Sequence, residues 1–353
     1  VITIYPIPQQ LLTSPYLDQL YDPLAGQPDL RIRRIGFRAA VVELLAGRAD
    51  ARIAHWHFFD ELTQRPALSA TAARTLAFIA LIRLLRARGV GLVWTAHNSE
   101  PHELRHARWA ARAYQAMFGQ AHAVIAHSAA AAALLRARYG AGPPLSVIPH
   151  GAYVGLYGPR RDKRASRAQL GLPEAGFVAL ALGTLRPYKG LEILLEAWQG
   201  GAGRLLIAGA AKDTGYATLL AARAAAIPGV DFRPQFVPDQ ALPTWLAAAD
   251  VLVLPYRKLL TSGVLLWALS YGVPVVAPDV APVRELVIDG RAGFLFTPAD
   301  PTALRAALAR ARAHPDLAAL GEAAYAAALP FAWPAIAAQT AALYRRVAAE
   351  LRG

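Results

Sequence analysis

At 353 residues the chain is long enough for two domains with sizeable cores. Its apolar fraction of 55% is that of a globular protein, and with no cysteine it can form neither disulfides nor thiolate metal sites. A formal charge of +13 calls for an anionic partner, and the lack of zinc-finger spacing or interleaved aromatics and glycines turns that expectation away from nucleic acid.

The chain opens on a strand pattern, "VITIYPI", so residues are expected to precede Val1. No signal-peptide pattern is seen, and no apolar run reaches the roughly 20 residues that span a bilayer. "RIRRIGFR" (Arg31 to Arg38) adds positive charge, and "ARIAHWHFFD" is a strand followed by His55, His57 and Asp60. Residues 71–88 form a helix whose core face is Phe78, Leu81, Ile82 and Leu85, while Leu76 and Ile79 fall among Arg83 and Arg86. Such a mixture fits an interfacial helix, and equally a buried helix with a polar edge.

Next comes the strand "GLVWTAH", then "HNSEPHE" and a helix over 102–118 on which Arg105, Arg108 and Arg112 make one stripe. "AVIAHS" and "LSVIPHGAY" complete the first series of strands. A charged, turn-rich segment near 152–175 separates it from a second series: "FVALALG", "GRLLIAG", "VDFRPQF", "VLVLPY", "VPVVAP" and "GFLF". Strands alternating with helices imply parallel sheets covered on both faces. The expected fold is therefore α/β, with two Rossmann-like domains facing a cleft. Its boundaries fall at 1–155 and 156–330, and a terminal helix over 331–353 is expected to pack back on the first domain.

Ligands of open parallel sheets bind beyond the carboxyl ends of the strands, so the residues just after each strand are the candidates. "RKLLTSG" leads into an apolar helix. The bare amides of a first helical turn, with Thr261, Ser262 and Gly263 beside them, suit a diphosphate; the alternative is an ordinary cap formed by Ser262. "GTLRPYKG" adds Arg186 and Lys189 at a second helix entrance, which are either phosphate ligands or two solvated cations. Two cationic strand ends in one sheet favour the diphosphate.

In the first domain, His97, Asn98, Glu100, His102 and Glu103 cluster after a strand. His97 and Glu100 suit general-base chemistry, while Asn98 or Ser99 with Pro101 and Glu103 suit a helix start. No His pair at helical spacing supports zinc, and no Asp-x-Asp is present to hold a metal against a nucleotide. Charge compensation is then expected from Arg, Lys and helix dipoles, with no metal ligand.

Taken together, "VIPHGAY", "GTLRPYKGLEILLEAW", "FVPDQALPTWLAAADVLVLPY" and "SYGVPVVAPDVAPVRELVIDGRAGFLFTPADPTALRAAL" make the chain resemble a GT-B glycosyltransferase of family 4 over nearly its whole length. The resemblance implies transfer of a sugar from a nucleoside-diphosphate sugar held by the second domain to an acceptor held by the first, with no metal and no cofactor besides the donor. It makes Lys189 the phosphate-binding lysine. The usual arginine of that loop falls at Thr184, with Arg186 as its candidate replacement.

Ser262 and Gly263 match the diphosphate cradle, and Glu285 an acidic residue of the donor loop; Tyr256, Arg257 and Thr261 complete the expected donor set. His97 matches a histidine near donor sugar and acceptor. Catalysis is expected from His97 or Glu100, with Asp60 as a further choice, and acceptor binding from His57, Asn98 and His150.

One departure is large. Retaining members carry two glutamates eight residues apart, where this chain has Leu259 and Trp267. "HWHFF", "HNSEPHE", "GTLRPYKG" and "LTSGVLLWALS" resemble bacterial exopolysaccharide transferases, among them the inverting β-mannosyltransferases of xanthan assembly. That similarity implies GDP-mannose and a lipid-linked acceptor, and the charge of the first domain with its two arginine-bearing helices adds a peripheral place on the cytoplasmic face of an anionic membrane. Competing readings are a GT-B epimerase or phosphorylase, and a degenerate GT-B protein that binds a glycan or partner without catalysis.

Overall fold

A computed structural model describes residues 1–11, 14–47, 51–101, 104–198 and 203–352. The chain divides into two compact units, Val1–Gly151 with Trp333–Gly353, and Ala152–Ala332.

The first unit carries six strands: β1 (Ile2–Ile7), β2 (Leu30–Ile32), β3 (Ala51–Trp56), β4 (Gly91–Thr95), β5 (Ala123–Ala126) and β6 (Leu145–Val147). They lie in the order β2-β1-β3-β4-β5-β6, every pair parallel, with Ile4 beside Ile53 and Trp56 beside Trp94. Central strands are buried on both faces, which is why they read as unbroken apolar runs. Their order reverses between β1 and β3, so the carboxyl ends there border a natural ligand crevice.

β2 was hidden in the arginine-rich segment. It is a three-residue edge strand with only Leu30 buried, and charge on an edge strand blocks further pairing. The helix Trp333–Glu350 packs in this unit against the helix Tyr16–Ala25 and strands β1 and β3. Arg345 fastens it to Asp29 and Gln27, and Tyr344 to His55.

The second unit carries β7 (Val178–Leu182), β8 (Arg204–Ala208), β9 (Val230–Arg233), β10 (Val251–Val253), β11 (Val275–Pro278) and β12 (Gly293–Phe296). Their order is β12-β11-β10-β7-β8-β9, again all parallel, and it reverses between β7 and β10. One face of this sheet meets Leu194, Trp198, Leu304 and Leu308 in a single core.

Three local expectations are corrected. Helix 71–88 spans Leu68–Ala87, and helix 102–118 begins only at Ala107, so Arg105 of the stripe precedes it. The Tyr139 hydroxyl bonds the carbonyl of Ser99, and Pro101 disfavours helix at Glu100, so the cap forms later, at His106. His102 and Glu103 lie outside the described residues.

The third concerns apolar runs. Leu68–Ala87 and the stretch Leu317–Glu350 are each long and apolar enough to cross a membrane by length and composition, because alanines carry the mean hydropathy past scattered arginines. In the first of these, Phe78, Ile82 and Leu85 are buried, while Leu68, Leu76 and Leu84 are exposed.

Candidate active site

In the second unit, the loops after β7 and β10 flank the point where strand order reverses. Gly183 has φ +109°, a conformation that favours glycine, and a Cβ there would stand 2.7 Å from the Lys189 Nζ and 3.5 Å from Val264 Cγ2. Glycine thus leaves room for the ammonium beside Val264 in the first turn of helix Gly263–Ser270. Gly190 (φ +65°) presses on the carbonyl of Pro255, and Arg257 N–H bonds the carbonyl of Tyr188 at 3.0 Å, so the two loops form one rigid wall.

Lys189 is 7% exposed and lies over the ring of Tyr256 at 5.5 Å. Burial, with the Arg186 charge adding to it, pulls its pKa down to about 8. Among the described residues no carboxylate pairs with it. Beside it is a recess of about 210 Å³ lined by Gly183, Leu185, Lys189, Pro255 and Tyr256 among others. Ser262 serves as the N-cap, its Oγ accepting from Leu265 N–H at 3.2 Å. The cap and the phosphate seat are compatible, because the cap occupies one first-turn amide and leaves the others.

The remaining donor candidates are placed differently. Thr184 and Thr261 are half-buried in the same two loops. Arg257 is paired with Glu192 at 2.5 Å, and Glu192 also accepts from Tyr216, so that guanidinium is committed to its own unit's framework. Glu285 lies at the exposed end of the short helix Ala281–Arg284. Trp267 is buried in a stack with Tyr153 (4.1 Å), Tyr157 (5.6 Å) and Tyr271 (5.9 Å).

In the first unit, consecutive strand ends supply a row of histidines, four of them buried and His127 half-buried: His55 in β3 and His57 after it, His97 after β4, His127 after β5 and His150 after β6. Tyr21 OH lies 2.7 Å from His55 Nδ1 and 2.8 Å from His57 Nε2. His57 Nδ1 stands 3.3 Å from His97 Nε2, and His97 Nδ1 stands 3.4 Å from His127 Nε2. His127 Nδ1 meets the carbonyl of Ile148 at 3.0 Å.

Burial lowers the pKa of His55 to about 3, of His127 to about 4 and of His150 to about 3, and that of His57 well below its usual value. Tyr16 and Trp333 wall the row, and Phe58 stacks on His97 at 4.4 Å. Among the described residues no group of three or more His, Cys, Asp or Glu is arranged to hold a metal ion.

A recess of about 190 Å³ opens beside this row, lined by His57, Phe58, Asp60, His97, Asn98 and Tyr114 among others. Asp60 accepts from Tyr114 OH at 2.8 Å. Glu100 pairs with Arg138 at 2.9 Å, and His150 bonds the carbonyl of Gly151. The structure thus gathers His57, Asn98, His97 and Asp60 around one hollow. The sequence places His127 at a strand end without giving it a role, and it offers no signal for Tyr16, Tyr21 and Tyr344.

These two sheets define a GT-B fold. The structure is similar to sucrose-phosphate synthase from Thermosynechococcus elongatus (TM-score 0.77, 21% identity, 99% of both chains) and to Anabaena HepE in complex with UDP and glucose (0.73, 19% identity, 98% of this chain and 99% of that one). The family described as Glycosyl transferases group 1 matches residues 176–314, and Glycosyltransferase Family 4 matches residues 21–154. A GDP-mannose:glycolipid 4-beta-D-mannosyltransferase of Xanthomonas campestris pv. campestris is 31% identical over 271 residues, 75% of this chain and 70% of that one. A D-inositol 3-phosphate glycosyltransferase of Streptomyces scabiei is 34% identical over 238 residues, 63% of this chain. The chain spans about half the length of that relative, 53%. The chain belongs to the group 1, family 4 glycosyltransferases.

Proposed function

We propose that the chain moves a glycosyl group from a nucleoside-diphosphate sugar to an acceptor hydroxyl. The observation that carries this reading is Lys189: a buried cation without a carboxylate among the described residues, set against Gly183 together with the first turn of the helix Gly263–Ser270 at the switch point of a parallel sheet. Lys189, Arg186 and the first-turn amides compensate the charge that develops on the departing diphosphate. In the first unit, His97 meets the acceptor hydroxyl and takes its proton, with Asp60 in the same recess.

GDP-mannose is the donor we favour and a lipid-linked saccharide the acceptor, on the strength of the Xanthomonas relative. With Leu259 and Trp267 where retaining members carry glutamates, we favour inversion at the anomeric carbon. A thermal-shift panel of GDP, UDP and ADP tests the donor. A ligand at 100 times its Kd adds about 2.7 kcal/mol of stability. GDP is expected to raise the melting temperature most, and no shift with any of the three would defeat the reading.

We further propose a peripheral site on the cytoplasmic face of the membrane. Leu68, Leu76 and Leu84 are exposed on the helix Leu68–Ala87, and Arg108 and Arg112 are exposed on the next helix, Ala107–Gln120. Co-sedimentation with anionic liposomes is expected at low salt and should weaken as salt screens the arginines. Equal binding to neutral vesicles, or none at low salt, would count against it.

A further inference from the structure

The histidine row has a direction, and one backbone group sets it. A carbonyl only accepts, so His127 Nδ1 carries the hydrogen that bonds Ile148. In a neutral ring the other nitrogen is then a bare acceptor. His97 must therefore donate from Nδ1 to His127 Nε2, and its own Nε2 is left as acceptor. The same step makes His57 Nδ1 the donor toward His97, and His57 Nε2 the acceptor from Tyr21. The hydroxyl of Tyr21 also meets His55 Nδ1, which is shared with Tyr344 OH at 2.5 Å, and His55 Nε2 meets Thr95 at 2.8 Å. From Tyr21 to Ile148 all bonds run one way. The Ile148 carbonyl does not titrate, so the row is no proton channel; it is a device for orienting rings.

Two of its members, His57 and His97, line the recess that also holds Asp60. Their mutual contact of 3.3 Å, like the 3.4 Å contact of His97 with His127, is longer than an ordinary bond to nitrogen, and of the two only the first borders the recess. A donor N–H and an acceptor nitrogen side by side match one small group, a hydroxyl, which can accept from His57 and donate to His97 at once. We propose that the Ile148 carbonyl, acting through His127, locks His57 as donor and His97 as acceptor, so that this pair reads an alcohol hydroxyl in the recess. His127 is a positioning residue: it touches no ligand and sets the tautomer of the ring that does. This deepens the transferase reading and rests on it only for what the hydroxyl belongs to.

Histidine-selective 15N labelling of the full chain, which has nine histidines, reads ring tautomers directly at neutral pH without substrate or turnover. His57, His97 and His127 are expected as Nδ1–H forms, the opposite of the form that prevails in free imidazole side chains. H127L is expected to release His97 into a mixture. H127Q, whose amide donates to Ile148 and accepts from His97, is expected to keep it as Nδ1–H. Y21F acts at the other end of the row and is expected to leave all three tautomers unchanged. An Nε2–H or charged His97 in the native chain overturns the lock even if H127L fails to fold, and so does a tautomer in folded H127L that matches the native one. Methyl α-D-mannoside added as a hydroxyl probe is expected to shift the His57 and His97 ring nitrogens together. Shifts at neither, with the tautomers as stated, overturn the hydroxyl subsite alone. Absence of sugar transfer bears only on the transferase reading.

Discussion

Lys189→Met is expected to lower affinity for a nucleoside diphosphate about 100-fold or more, while raising the melting temperature of the free protein. The two effects share one cause. A charge-assisted bond from a buried ammonium to phosphate is among the strongest single polar contacts a protein makes. Without its ligand, the same ammonium is a buried cation with no carboxylate paired to it among the described residues. Its pKa of about 8, against about 10.4 in an unfolded chain, corresponds to roughly 3 kcal/mol of strain in the charged form. Methionine keeps the length and volume and removes the charge.

The pH dependence has a definite sign. Between about 8 and 10.4 the unfolded chain holds a proton that the folded chain has released, so stability contributed by this group rises with pH across that window. Diphosphate affinity moves the opposite way, falling as pH passes 8, because the ligand needs the ammonium. Titration calorimetry at pH 7 and pH 9, with thermal melts of both proteins, checks the set. A variant that binds GDP, UDP and ADP as tightly as the native chain removes Lys189 from the site.

Trp267→Glu places a carboxylate where the resemblance to retaining family members implies one, and it is expected to destabilise rather than to confer their chemistry. Trp267 is 7% exposed, and its ring lies 9° from parallel with Tyr153 and 8° from parallel with Tyr157. Truncating a buried tryptophan costs about 3–5 kcal/mol through lost transfer energy and the cavity left behind. A carboxylate set among aromatic faces adds a desolvation penalty, which it escapes only by taking up a proton. At about 2–4 °C per kcal/mol for a domain of this size, the melting temperature is expected to fall by roughly 10 °C or more. Trp267→Phe keeps most of the stack and is expected to lose far less. A Trp267→Glu chain as stable as the native one would show that the stack carries no structural load.

The same comparison explains what replaces the absent carboxylate. Position 267 has become part of the wall of its own unit, joined to the segment at Tyr153 and Tyr157, and Ser270 of the same helix bonds the Tyr153 N–H at 2.8 Å. The helix Gly263–Ser270 is thereby held at both ends, by the Ser262 cap at its start and by this aromatic stack and bond along its length. A rigid helix keeps its first-turn amides aimed where a phosphate can use them without reorganising.

Much of the architecture was legible in the residues alone. Short runs between helical stretches named eleven of the twelve strands; in the central ones, burial on both faces leaves a local mark that needs no partner to be seen, and the edge strands β6 and β9 followed from their spacing. The loop "GTLRPYKG" and the triplet Thr261, Ser262 and Gly263 were legible for the same reason, each being a short pattern with its own chemistry. Tertiary structure decided the rest. It committed Arg257 to Glu192 and Glu100 to Arg138, choices among many carboxylates that sequence cannot rank. It also turned histidines 40, 30 and 23 positions apart into neighbours. Parallel strands about 4.8 Å apart carry residues distant in the chain to adjacent carboxyl ends, and only the order and register of the sheet say which ends those are.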